Sequence, residues 1–128
     1  MSRFLLDTTT LIDLSKGREP ATSAVFSLIE RGDELGVCAV NVAEFFTGVP
    51  PAERSIWTEF FSLLDFWPIT PAAGRRAGIW RHDYGRQGLT LSSTDTLIAA
   101  VASENNAVVL TRNVKDFPMP EISARPTP

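Results

Sequence analysis

Residues 92–116 read SSTDTLIAAVASENNAVVLTRNVKD, and the two patterns joined in this stretch decide the fold. Ser92 to Glu104 opens on a capping serine with an acid three residues later, then runs through helix-favouring and small apolar residues, which predicts a helix. Ala107 to Leu110 (AVVL) is short, apolar and β-branched, the composition of a strand buried on both faces. Only two asparagines, Asn105 and Asn106, separate the two patterns. A helix that delivers the chain into a buried strand through so short a link is half of a βαβ unit.

The same alternation runs through the rest of the chain. Arg3 to Leu6 predicts a first strand ending at Asp7, and Thr8 to Ser15 a short helix broken by Gly17 and Pro20. Thr22 to Glu30 carries Val25, Phe26, Leu28 and Ile29 at helical spacing and stops at Gly32. Leu35 to Val40 (LGVCAV) predicts a second buried strand. Asn41 is placed to cap the next helix, with Glu44 in its first turn. A further helix is expected from Glu53 to Leu64, with Ile56, Trp57, Phe60, Leu63 and Leu64 along one side. A short strand is expected over Phe66 to Thr70. Pro71 then opens a helix with Ala73, Ala77, Trp80 and Tyr84 on one face, closed by Gly85 and Gly88. A last short strand is expected near Ile122, and Pro126 and Pro128 mark a tail. The pattern predicts an α/β fold in one domain, residues 1–128, with a parallel sheet of four to five strands and helices on both faces.

Bulk properties narrow the function classes. The 128 residues are 44% hydrophobic and 21% charged, without a repeat or low-complexity tract. No apolar run approaches the ~20 residues of a membrane span, and Asp7 interrupts the apolar start too early for a signal-peptide core. A cytoplasmic protein is expected. Cys38 is the only cysteine, which excludes an internal disulfide and predicts a small core residue. Fifteen acids against twelve bases give a net charge of −3. That balance argues against a nucleic-acid partner unless the excess acid is gathered in one place and neutralised there by a cation.

Four acids meet that condition. In open parallel sheets ligands bind beyond the carboxyl ends of the strands. Asp7 follows the first strand, Glu44 comes shortly after the second, Asp116 lies in the loop after AVVL, and Asp95 opens the helix before it. Two carboxylates ~7 Å apart repel by roughly 2 kcal/mol at an effective dielectric near 20. The six pairs among four acids therefore total on the order of 10 kcal/mol, comparable to a domain's whole stability. A divalent cation removes the conflict, and an all-carboxylate donor set suits Mg2+ or Mn2+. With one histidine, His82, and one cysteine, a zinc site cannot be assembled. Each acid also has a structural role open to it. Asp95 with Ser92 forms S-x-x-D, Asp7 and Glu44 suit helix starts, and Asp116 suits a solvated loop. Asp13, Glu30, Asp33, Glu53, Glu59, Asp65 and Asp83 fall on polar helix faces or in turns, where charge needs no further explanation.

The blocks LLDTTTLIDL, NVAEFFTG, STDTLIAAVA and VVLTRNVKDF, in this order, resemble the conserved blocks of PIN-domain nucleases. Their wording is most similar to VapC-type toxins of bacterial toxin–antitoxin pairs, over roughly residues 3–125. The resemblance implies a PIN-like three-layer sandwich and hydrolysis of RNA phosphodiester bonds with Mg2+ or Mn2+. It places the catalytic and metal-holding acids at Asp7, Glu44, Asp95 and Asp116, with Thr111 and Asn113 supporting the fourth acid. It also implies a homodimer held inactive by a cognate antitoxin, which would lie in a groove formed by Trp57, Phe60 and Phe61 with Val25, Phe26 and Ile29. The family commonly reads D-T-N after the first strand, whereas this chain has Asp7-Thr8-Thr9, so local support of Asp7 is expected to differ.

Arg75, Arg76, Arg81 and Arg86 crowd the helix before the third block, and Arg112 and Lys115 flank Asp116. Arg112, Arg81 and Arg86 are the candidate phosphate contacts, and His82 is expected at the surface. Other readings fit less well. A haloacid-dehalogenase-type phosphatase needs an acid where Thr9 stands, a receiver domain lacks its paired acids and lysine, and glycine-rich nucleotide motifs are absent. The one substantial alternative is a PIN fold that binds RNA or antitoxin with little turnover.

Overall fold

The computed structural model describes residues 2–126. Met1, Thr127 and Pro128, and with them the end of the expected tail, lie outside the described residues. The chain runs through β1 (Arg3–Leu6), α1 (Thr8–Ser15), α2 (Ala21–Glu30), β2 (Glu34–Val37) and α3 (Ala39–Thr47). A 3-10 turn at Pro51–Glu53 leads into α4 (Arg54–Phe61), β3 (Asp65–Phe66), α5 (Pro71–Arg86) and α6 (Ser93–Glu104). β4 (Val108–Leu110), a second 3-10 turn at Val114–Asp116 and β5 (Ala124–Arg125) complete it.

The strands form one sheet in the order β3-β2-β1-β4-β5, with every pairing parallel. Helices cover both faces, so the expected α/β sandwich is the observed one. Parallel strands are buried on both sides, and the alternation along β1 shows the two layers being fed. Leu5 packs under α5 and α6 with Trp80, Ile98 and Val109. Phe4 and Leu6 pack on the opposite face with Leu11, Val25, Leu28 and Leu110, among residues of α1, α2 and β4. The small face of α6, Ala99, Ala100 and Ala102, is fully buried, which lets this helix lie close to the sheet.

Several elements depart from their expected bounds. The second strand stops at Val37 rather than Val40, because Cys38 is extended and caps α3. Asn41 is therefore the third residue of that helix and not its cap, and Glu44 lies in its second turn. The strand expected over Phe66 to Thr70 is only Asp65–Phe66, since Pro68 ends pairing, and the last strand lies at Ala124–Arg125 rather than at Ile122. α4 buries no residue fully, and Ile56 and Leu63, expected on its packed side, are exposed. No helix among the described residues is long and apolar enough to cross a membrane.

Gly36, in the middle of β2, is required by close approach. A Cβ built there would overlap three atoms of the Trp67 ring, which closes the core beyond β3. Gly36→Ala should therefore cost about 1–3 kcal/mol through overpacking. Urea unfolding checks this; an unshifted midpoint would mean that Trp67 swings away freely.

Candidate active site

The strand order reverses at β1, whose neighbours are β2 on one side and β4 on the other. Asp7 stands at the carboxyl end of this central strand, where the reversal opens a crevice. It is the N-cap of α1 and is almost wholly buried. Its amide donates to the Leu110 carbonyl (3.0 Å), and the Thr10 hydroxyl donates to the same oxygen (2.8 Å), so the end of β4 fixes the start of α1.

The Asp7 carboxylate is held through one oxygen. Oδ2 accepts the Thr111 hydroxyl at 2.7 Å and the Thr9 hydroxyl at 3.3 Å. Thr111 thus supports the first acid, not the fourth as the resemblance implied. The register explains this: Leu6 lies opposite Leu110, so the next residues of the two strands, Asp7 and Thr111, face each other. Asn113 donates its amide to the Thr111 hydroxyl (3.0 Å) and accepts the Asp116 amide at its carbonyl (2.9 Å). Asn113 connects the fourth acid to the first through its backbone. Thr9, standing where the family has Asn, keeps the supporting oxygen on Asp7 and also accepts the Arg112 amide (3.1 Å).

The other acids reach the same rim from separate elements. Glu44, exposed on α3, accepts the Thr8 hydroxyl at 2.6 Å, which ties it to the residue after Asp7. α3 is in turn fixed by the fully buried Asn41, whose amide group donates to the Leu6 carbonyl while its oxygen accepts the Cys38 amide (2.8 Å). Asp95 is half-buried in the first turn of α6. Its amide donates to the Ser92 hydroxyl (3.0 Å), and α6 is capped through that bond. Asp116 is half-buried in the turn after β4.

Electrostatics show that the four acids share one field. Burial raises the Asp7 carboxyl above its usual value, the Thr111, Thr8 and Thr9 donors oppose the rise, and the charge of Glu44 adds to it. Burial also raises Asp95, opposed by Ser92 and reinforced by Asp7, Asp116 and Glu44. Burial likewise pushes the Cys38 thiol up, so it is an inert core thiol. Among the described residues none of the four acids is in an ion pair, and no three Asp, Glu, His or Cys side chains are gathered closely enough to hold a metal ion as they stand. The arrangement is an open rim of carboxylate oxygens. That donor set fits a hard cation that keeps part of its water shell, as Mg2+ does.

The basic candidates divide. Arg81 donates through Nε to the Leu91 carbonyl (3.1 Å) and lines a hollow of about 200 Å3 between α5 and the start of α6, where Ser93 and Thr96 also sit. Arg86 is exposed at the end of α5, and Arg75 is exposed near its start. Arg76 turns away, stacking on Trp80 and bonding Ser103. His82 is exposed beside Asp83. The Arg112 guanidinium lies on Asp13, 3.0 Å from Oδ2. Asp13 is thus a buried, paired acid and not the solvated helix residue its sequence position suggested.

On the other side of the sheet, Phe45, Phe46, Trp57, Phe60 and Phe61 form a mainly edge-to-face network with centroids 5.2–6.0 Å apart. Trp57, Phe60 and Phe61 are only half-buried, and Phe26 and Ile29 are exposed on α2. Val25, expected in the same groove, is instead a core residue with no exposed surface.

The model of the PIN domain family matches residues 4–118. Ribonuclease VapC19 of Mycobacterium tuberculosis is 31% identical over 115 residues, covering 90% of this chain and 92% of that protein. The VapBC structure from Salmonella typhimurium, solved bound to DNA, is similar over the full length of both chains, with a TM-score of 0.84 at 24% identity. A toxin–antitoxin complex from Klebsiella pneumoniae matches with a TM-score of 0.74 at 26% identity, over 92% of this chain and 93% of that one.

Two outcomes are expected from the burial of Asp7. The folded protein keeps protons on Asp7 and Asp95 at pH values where the unfolded chain has lost them. Their contribution to stability is therefore complete below the ordinary value of 3.8 and is lost as pH rises through the elevated folded values. In chelator, wild-type stability in urea should fall as pH rises from the ordinary carboxylate value of 3.8 towards neutrality. Asp7→Asn should flatten that slope and raise the midpoint at pH 7, and an unchanged slope would contradict the assignment. Thr111→Val removes a buried donor from a carboxylate and should cost about 1.5–3 kcal/mol, with Thr111→Ser largely restoring it.

Proposed function

The chain belongs to the PIN-domain family, and from that membership we propose that it is a single-domain, cytoplasmic endoribonuclease dependent on Mg2+ or Mn2+. The observation that carries this reading is electrostatic: Glu44 acts on Asp7, and Asp7, Asp116 and Glu44 all act on Asp95, although each acid comes from a different element. The ribonuclease name of the Mycobacterium tuberculosis relative supports the choice of RNA as substrate.

In this reading Asp7, Asp95 and Asp116 hold the ion directly or through water. When bound, it would make water a stronger nucleophile and stabilise charge on the scissile phosphate and the leaving oxygen. Glu44, the most exposed of the four and held by Thr8, orients the attacking water or joins a second ion. Thr111 and Thr9 favour the ionised form of Asp7 against its burial and fix its rotamer, and Asn113 keeps Asp116 in register with it. Arg81, which lines the hollow beside Ser93 and Thr96, and Arg86, exposed at the end of α5, are the candidate phosphate contacts in this reading.

We assign the protein the role of toxin in a toxin–antitoxin pair, as a homodimer that associates with its antitoxin in a larger complex. The half-buried aromatics of α4 with Phe26 and Ile29 on α2 supply an apolar surface suited to an amphipathic antitoxin segment. The toxin–antitoxin complex among its structural relatives supports such a partner.

Purified protein should cut total bacterial RNA into discrete fragments with Mg2+ or Mn2+ and not in chelator, and Asp7→Asn should lower the rate at least a hundredfold or so. Equal inactivity of wild type and variant, with RNA or antitoxin binding retained, would leave a binding module in place of an enzyme.

A further inference from the structure

Asp13 lies two turns along α1 from the acidic rim, on the same helix face as Thr9. Its side chain is only 10% exposed, yet two arginines that are themselves more than half exposed converge on it. Oδ2 is 3.0 Å from Nε of Arg112, and Oδ1 is 3.4 Å from a terminal nitrogen of Arg18. The backbones are fixed as well. The Arg112 amide donates to Thr9, whose hydroxyl bonds Asp7, and the Arg18 amide donates to the Asp13 carbonyl at 2.9 Å.

This differs from an ordinary surface ion pair, in which both partners are solvated and loosely held. Here the acid is the buried member and the two bases are the presented ones. One carboxylate against two guanidiniums leaves a net positive charge. Each fork contacts Asp13 through a single nitrogen, so the planar donor array of each remains able to meet a second oxyanion. Along α1, Asp13 stands about 9 Å from Asp7, reckoned from helix rise. A strand whose scissile phosphate lies at Asp7 therefore passes these arginines with a flanking phosphate.

We infer that Asp13 is a positioning residue that holds Arg112 and Arg18 as a preorganised pair of contacts for the RNA backbone beside the cleavage site. The inference rests on the ribonuclease reading given above. A rim of carboxylates repels a polyanion at the point where the strand must lie. Cations fixed beside the rim offset that repulsion, and fixed ones lose less freedom on binding than mobile surface side chains do.

The decisive variant is Asp13→Asn, because charge and positioning make opposite predictions for it. Removing a negative charge should tighten RNA binding if only net charge matters, whereas loss of the anchor should weaken it. Binding of a fluorescent single-stranded RNA oligonucleotide in chelator, titrated over salt, gives the readout. Asp13→Asn is expected to bind several-fold more weakly, and Arg18→Ala and Arg112→Ala should each reduce the slope of log affinity against log salt by about 0.7. In cleavage, all three should raise KM with kcat little changed. Binding by Asp13→Asn that equals or exceeds wild type overturns the inference. If that variant does not fold, the two alanine variants decide alone, and wild-type slopes in both overturn it. Wild-type protein that neither binds nor cuts RNA would instead refute the ribonuclease reading itself.

Discussion

A carboxylate held almost wholly out of water at the end of the central strand is the constraint around which this molecule is organised. Asp7 would be better solvated at almost any surface position, and burial raises its proton affinity accordingly. It stays where it is because β1 and β4 run parallel in a register that sets Thr111 opposite it, and because α1 begins at Asp7 and brings the Thr9 hydroxyl back onto the same oxygen. Two hydroxyls on one oxygen offset part of the desolvation. The sheet topology and the chemistry of the site are in this sense one arrangement. A shift in the β1–β4 pairing would take Thr111 away from the carboxylate.

The same economy governs how the remaining acids are placed. The Leu110 carbonyl takes two donors from the start of α1, so the end of β4 and the beginning of that helix cannot move independently. Asn41 joins the end of β1 to the entry of α3, which carries Glu44. α6 is capped by Ser92 through the amide of Asp95, and its alanine face presses on the sheet. Asp7, Glu44 and Asp116 are thus carried by short elements tied to the ends of β1 and β4, and Asp95 by a capped helix packed on the sheet. Such rigid supports resist the mutual repulsion of the four acids better than loops would.

Much of this was legible from sequence because it depends on local patterns. The turn residues Gly17, Pro20, Gly32 and Pro71 marked the helix limits closely, and an acid directly after a buried strand points to the rim once the sheet is known to be parallel. What escaped depended on register and packing. Nothing in the string TRN says whether Thr111 faces the acid five residues later or the one across the sheet; that follows only from the β1–β4 alignment. Asn41 looked like a helix cap because asparagine favours that position, but Cys38 had already taken it, and burial assigned Asn41 to bridging instead. Asp13 looked solvated because its partner Arg112 is ninety-nine residues away in the chain. Shortening of β2 and β3 had a similar origin, since strand ends are set by neighbours more than by composition.

The net charge of −3 shows how an acidic protein can be suited to an anionic polymer. At the amino ends of β1 and β2 the acids are matched: Arg3 meets Glu34 and Arg31 meets Asp33. At the carboxyl ends the four rim acids have no such partners among the described residues, while the arginines nearest them by chain position are either committed to Asp13 or aligned along α5. The molecule is thus polarised along its strands, with compensated charge at one end and a carboxylate rim flanked by fixed guanidiniums at the other. A global count averages these ends and hides both. In the ribonuclease reading, salt acts through a small number of local contacts rather than through the field of the whole protein, because charges more than a Debye length from a bound strand are screened.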